Sequence, residues 1–209
     1  MNNNLTITEI KTIFLNYLVL TEDNNEQKRH ISDYFKNRTV INKKTGEVKP
    51  APIRTQEYPM ITADYSFFIF PNQWLGNKTI LDFSDKFLIE RKSGSTGRGG
   101  GFQELRGNLT TGHKLFKAEF GRMIAVQEVI LLLENATDKN CIKKVPPQQM
   151  SNETFYKIYD TFVQNRNKSR LELKLEPIKV EYCSLENAGE TVMKLIFDFL
   201  VENFGKKKT

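Results

Sequence analysis

Apolar and polar positions alternate along this chain in a way that predicts strands and helices in turn. Phe14 to Leu20 is an apolar, β-leaning run that ends in the acidic turn Glu22-Asp23-Asn24-Asn25-Glu26, which predicts a strand. Lys28 to Lys36 reads as a short helix with Ile31, Tyr34 and Phe35 inward. Asn37 to Tyr58 is polar and basic, with hairpin chemistry at Asn42-Lys43-Lys44-Thr45-Gly46-Glu47. Strand patterns return around Asp64, within Met60 to Phe70, and again within Thr79 to Lys92, with Trp74-Leu75-Gly76-Asn77-Lys78 as the turn between them. Beyond the Gly- and Ser-rich stretch Ser93 to Gly101, a helical segment interrupted at Thr110-Thr111-Gly112 runs to about Met123. Val129 to Leu133 is a fully apolar strand closing on Glu134-Asn135. Pro146-Pro147 breaks the chain, Asn152 to Val163 is helical, and Ile178 to Tyr182 is a strand. The last helix, about Ala188 to Phe204, carries Val192, Leu195, Ile196, Phe199 and Leu200 on one stripe, with Gly205 as its stop.

Such alternation predicts an α/β fold with a central mixed sheet flanked by helices. At 209 residues the expectation is a single domain over 1–209. Its core spans about 14–205, with a basic insertion at about 37–58, a Gly-rich loop at 93–101 and a disordered tail at 206–209.

The run Phe87-Leu88-Ile89-Glu90-Arg91-Lys92 carries two patterns at once. Apolar residues fill both faces up to Ile89, as in an interior strand covered on both sides. At strand period, Glu90 and Lys92 then share one face and Arg91 takes the other. A carboxylate and an ammonium at the end of a buried strand are costly to place without a partner. Two readings fit: a strand end where both reach solvent, or a carboxylate for a divalent cation beside a lysine that holds a water or a phosphate oxygen.

Composition narrows the chemistry. Charged residues are 27% and aromatics 11%, as in a folded globular protein. Lys and Arg number 31 against 25 Asp and Glu, a net charge of +6 that is compatible with a nucleic-acid partner. Basic residues crowd Gln27 to Gln56 and Glu90 to Arg122. A solvated face accounts for such runs as readily as a polyanion site does, but the second run starts at the acidic strand end. Cys141 and Cys183 have no paired spacing and read as reduced thiols. His30 and His113 are the only histidines, which excludes HExxH proteases and His-rich zinc sites. Neither GxxxxGK[ST] nor GxSxG occurs. Met1-Asn2-Asn3-Asn4 is no signal peptide and no apolar stretch approaches a membrane span. An enzyme built from these residues runs on carboxylates, lysine and a borrowed metal.

Four pieces of the chain, taken together, resemble the XPF-type nuclease domain of the restriction-endonuclease-like PD-(D/E)xK superfamily. Strand Tyr17-Leu18-Val19-Leu20 precedes Asp23-Asn24-Asn25-Glu26, similar to the family's D-x-R-E turn. Ala63-Asp64-Tyr65-Ser66 resembles the G-D-Y element, and Glu90-Arg91-Lys92 is an intact E-R-K. Leu115 to Met123 is similar to the family's R-F-x-x-E-L-x-R helix and precedes the L-L-x-E strand at Leu131 to Glu134. Asn25 and Ala63 depart from the family's Arg and Gly. Thr96 stands where an Asp is expected, as if the glycine-rich insertion had moved that role to Glu104-Leu105. The tandem helix-hairpin-helix module of many relatives is not in the sequence.

The resemblance implies a restriction-endonuclease-like core and a Mg²⁺- or Mn²⁺-dependent endodeoxyribonuclease, acting on branched or recombination-type DNA in a stand-alone bacterial or bacteriophage form. Asp64 and Glu90 would hold the ion, joined by the carbonyl after Glu90, and Lys92 would orient the attacking water and stabilise developing charge. Asp23 and Glu26 would hold further waters or a second ion, although a polar helix N-terminus explains them equally. Glu104 is an additional acid in this scheme, with an ordinary helix-surface carboxylate the alternative for it and for Glu119. Arg98, Lys43, Lys44, Lys114 and Lys117 would meet DNA phosphates, while Arg91 braces the fold through an ion pair. The partners implied are DNA and no small-molecule cofactor or membrane, in the cytoplasm (the host's, if phage-encoded). Family members dimerise, and the stripe of the last helix fits either a dimer contact or the core. The competing class is a catalytically silent DNA-binding or interaction module of the same fold.

Overall fold

The computed structural model describes residues 4–24, 30–146 and 150–206. In chain order the elements are α1 (Ile7–Asn16), β1 (Leu18–Asp23), α2 (His30–Lys36), β2 (Thr39–Ile41), β3 (Val48–Pro50), β4 (Arg54–Tyr58), β5 (Tyr65–Ile69) and β6 (Leu81–Asp82). Then follow β7 (Phe87–Lys92), α3 (Gly101–Thr110), α4 (His113–Arg122), β8 (Glu128–Glu134), α5 (Asn152–Glu172), β9 (Lys179–Cys183) and α6 (Ala188–Phe204). The fold is mixed α/β, with parallel and antiparallel strand pairs flanked by helices. The chain forms two compact units, Met1–Pro59 with Ser66–Ser84 and Ala188–Thr209, and Met60–Tyr65 with Asp85–Asn187.

In the first unit the strand order is β4-β1-β5, with β6 on β5. β1 and β4 run parallel, Val19 opposite Arg54. The segment expected to begin a strand at Phe14 is helical as far as Asn16. Thr6 and Glu9 form a reciprocal capping box that starts α1, and α1 buries Ile10, Ile13 and Phe14. β1 therefore begins later and runs through the acidic residues to Asp23. α2 buries Ile31 and Phe35, with Tyr34 half-buried. The hairpin is as the sequence predicts: Ile41 pairs with Val48, and Asn42 closes the turn. α1 and α2 pack against α6, whose stripe is covered on the chain's own fold. Phe199 of that stripe lies 1% exposed against Phe67 and Phe83. The stripe is core, which removes it as a dimer surface.

In the second unit β7, β8 and β9 are parallel in that order, with Glu90 opposite Leu131 and Lys92 opposite Leu133. Tyr65, the first residue of β5, pairs antiparallel with Ile89. Leu88, Leu131 and Leu133 share one core with Phe102 and Leu105 of α3, Phe116 and Phe120 of α4, and Phe155 and Phe162 of α5. The interruption between α3 and α4 falls where Gly112 predicts it. α5 extends well past Val163, because Arg170 near its end is buried and holds five carbonyls. Its guanidinium donates to Met123, Ile124, Val126, Gln127 and Glu176. The strand expected from Met60 is shorter, since Ala63 takes φ +65° and no strand forms before Tyr65. Cys141 and Cys183 are buried thiols. Lys207 to Thr209, most of the expected tail, lie outside the described residues. No helix among the described residues is long and apolar enough to cross a membrane.

Candidate functional site

All six residues of β7 are buried, so its charged end is not a solvated strand end. Leu88, Glu90 and Lys92 lie on the pleat face that α3 and α4 cover, and Arg91 lies on the other. Arg91 Nη1 meets Glu134 Oε2 of β8 at 2.9 Å, with the two side chains 5% and 0% exposed. The brace expected from pleat alternation is therefore present.

On the helix face, Lys92 Nζ binds Glu90 Oε1 and lies 3.4 Å from Glu104 Oε1 of α3. The ammonium also sits 5.4 Å from the centroid of the Phe116 ring of α4. Asp64 enters from the chain before β5. Its N–H donates to the Ile89 carbonyl at 3.0 Å, and its Oδ2 accepts the Arg91 N–H at 2.6 Å. The preceding Ala63, buried and at positive φ, sets that approach; a left-handed alanine costs about 1–2 kcal/mol. This is the position where the resembled motif has glycine.

The electrostatics follow from crowding. Burial pushes the Glu90 carboxyl well above its usual range, Asp64 adds to the rise, and Lys92 opposes it; Glu119 contributes further in the raising direction. For Lys92, burial opposes the charge, but Glu90, Asp64 and Glu104 outweigh it and raise its pKa. We take Lys92 as the charged member, because two carboxylates touch it, and Glu90 as the site of proton uptake. Negative charge is thus in excess around one ammonium. Glu90 Oε2 is buried and has no hydrogen-bond partner among the described residues. An orphaned carboxylate oxygen in an acid-rich, hard-oxygen setting fits a divalent cation such as Mg²⁺ or Mn²⁺. No group of three or more acidic, His or Cys side chains able to hold a metal occurs among the described residues. Glu90 and Asp64 are the residues that would hold such an ion.

The remaining expected residues divide clearly. Glu104 is not an idle surface carboxylate: its Oε2 accepts the Ser93 N–H at 2.8 Å while Oε1 faces Lys92. Glu119, which sequence reasoning left on a helix surface, acts electrostatically on Glu90. Its carbonyl accepts the Thr62 hydroxyl at 3.4 Å. Asp23 ends β1 in the first unit, half-buried, and Glu26 lies outside the described residues. Arg98, Lys114 and Lys117 are exposed in the second unit, and Lys43 and Lys44 are exposed on the first unit's hairpin.

The far end of the glycine-rich loop is packed against the strand ends. A Cβ on Gly100 would lie 2.3 Å from the Asn135 carbonyl oxygen, and one on Gly101 would lie 2.5 Å from the Lys92 carbonyl oxygen. Asn135 Nδ2 holds the Gly94 carbonyl at 2.8 Å. The glycines at 100 and 101 serve close backbone approach, and the loop delivers α3, hence Glu104, to Lys92.

Comparison with family models and with curated proteins finds no match.

Proposed function

We propose that the chain is a metal-dependent endonuclease that hydrolyses DNA phosphodiester bonds, with Asp64, Glu90 and Lys92 as its chemical centre. The observation that carries this reading is the orphaned, buried Glu90 Oε2 beside an ammonium ringed by carboxylates. A Mg²⁺ or Mn²⁺ ion bound there would lower the pKa of a coordinated water and neutralise phosphoryl charge. Asp64 and Glu90 would hold it. Lys92, kept charged by its acidic neighbours, would donate hydrogen bonds to the attacking water or to a developing oxyanion. Glu104 positions Lys92 and the start of the following loop. The net charge of +6 suits a polyanionic substrate. The motif resemblance further suggests branched or recombination-type DNA, and a restriction-endonuclease-like core.

One observation favours the silent-module alternative: Glu90 and Lys92 already partner each other without any ligand. Labelled duplex, flap, fork and four-way-junction DNA incubated with Mg²⁺, Mn²⁺ or EDTA separates the two. Cleavage of any of them with metal and none in EDTA supports the nuclease. Binding without cleavage under every metal condition assigns the silent module.

A further inference from the structure

A half-open cleft of about 550 Å³ lies in the second unit, lined by α4, α5 and the end of α3, and the carboxylate site does not use it. That volume is in the range of small-ligand pockets. Leu109, Ile158 and Phe162 give it an apolar floor. Lys117 from α4 and Lys157 and Arg166 from α5 supply cations, and no Asp or Glu is among the described residues lining it. Thr161 and Ser169 add hydroxyls at helical spacing along the same face of α5.

The cations differ in how they are held. Arg166 Nη2 donates to the Lys117 carbonyl at 3.0 Å, and its guanidinium lies 5.7 Å from the Phe162 ring centroid, so its position is set before any ligand arrives. Lys157 pairs with Glu153 one turn back at 3.0 Å, both side chains more than 70% exposed. Such a pair is worth little in water and yields to a doubly charged anion. Phe162 stacks on Phe116 at 5.3 Å, and Phe116 in turn carries the Lys92 ammonium. Two aromatic rings are thus the wall shared by the cleft and the carboxylate site.

We propose that this cleft binds a nucleotide, with the base against the Leu109–Phe162 floor and the phosphate among Lys117, Lys157 and Arg166. A bare anion would leave the apolar floor unused, and an apolar ligand would leave the cations at its rim unused. The nucleotide comes either free or as part of a nucleic-acid strand, and only the second source rests on the nuclease reading.

The test measures binding of thymidine 5′-monophosphate, inorganic phosphate and a fluorescein-labelled oligothymidylate in EDTA, so that no metal at the carboxylates takes part. Lys117→Gln/Lys157→Gln removes two exposed charges at the cleft, and Lys11→Gln/Lys78→Gln removes the same charge from exposed positions of the first unit that have no assigned role. The cleft variant should weaken mononucleotide binding at least about tenfold, the scale of one lost charge-assisted hydrogen bond, and the control variant less than about twofold. If only the oligonucleotide binds and the cleft variant weakens it more than the control variant does, the occupant is a strand nucleotide. The proposal is overturned if neither nucleotide ligand binds, if the control variant weakens binding as much as the cleft variant or more, or if inorganic phosphate binds as tightly as the mononucleotide. Failure of metal-dependent cleavage in the separate DNA assay would leave these binding outcomes standing.

Discussion

At the scale of single residues, the site is a balance of charges that each substitution tips in a known direction. Asp64→Asn or Glu90→Gln should abolish metal-dependent cleavage while DNA binding persists, because phosphate contacts come mainly from Lys and Arg. Single-turnover cleavage beside a polarisation binding assay checks this, and normal turnover by the double variant would refute the site. Lys92→Met should retain metal binding by calorimetry yet lose roughly two to three orders of magnitude in rate, as removal of an oxyanion donor does. Arg170 offers a contrast, because it touches no candidate site residue. It is 1% exposed and its guanidinium donates to five carbonyls. Arg170→Leu should therefore destabilise by about 3 kcal/mol or more in denaturant unfolding, since each orphaned carbonyl costs about 1–3 kcal/mol. Arg170→Lys should recover little of that, because an ammonium lacks the planar five-donor fork.

At the scale of elements, the short connections position the chemistry. The turn at Ala63 brings Asp64 to β7, and the turn from Gly99 to Gly101 starts α3 so that Glu104 reaches Lys92. Gly100 sits at φ +55° with no room for a methyl group. Gly100→Ala should destabilise the protein by more than about 1 kcal/mol and lower activity too, by shifting Glu104. Gly97, also at positive φ but with nothing near its would-be Cβ, is the control. Gly97→Ala should show the backbone strain alone, with activity retained. Equal losses in both variants would deny the loop its positioning role. Much at this scale is legible in sequence. The hairpin, the α3–α4 interruption, the apolar β8 and the bounds of α6 follow from turn residues and periodicity. The start of α1 is missed because the apolar run at Phe14 is read by composition, while the Thr6–Glu9 capping box sets the helix.

At the scale of the whole molecule, charge and proton balance lead to two expectations. DNA binding should weaken steeply with salt through counterion release, and neutralising Lys43, Lys44 and Lys49 should shallow that slope if the hairpin grips DNA. An unchanged slope identifies those lysines as a solvated face. The second expectation concerns pH. Glu90 binds its proton more tightly folded than unfolded. Between its unfolded and folded pKa values the folded state thus holds more protons, and metal-free stability should fall as pH rises through that window. A divalent cation competes with the same proton. Stabilisation by Mg²⁺, about 2.7 kcal/mol at a hundredfold excess over Kd, should therefore grow as pH rises through the folded pKa. Thermal unfolding with and without Mg²⁺ across pH measures both trends. A Mg²⁺ effect that does not change with pH, or that survives Glu90→Gln, places the ion elsewhere.

The sequence by itself determined the alternation of strands and helices, the interior character of Phe87 to Ile89 and the shared face of Glu90 and Lys92. Each of these is a local property, set by side-chain period, propensity and turn chemistry within a few residues. Even the Arg91 brace was legible, because pleat alternation forces it to the opposite face. Only the tertiary structure decided that Glu90 is enclosed with one oxygen unpartnered among the described residues, that Asp64 reaches β7 and that Glu104 touches Lys92. Burial and electrostatic coupling are sums over neighbours distant in the chain, and no window of sequence contains them. The same reason separates two features that look alike in sequence. The stripe of α6 and the basic face of α5 are both helical periodicities, and packing alone made the first core and left the second lining a cleft.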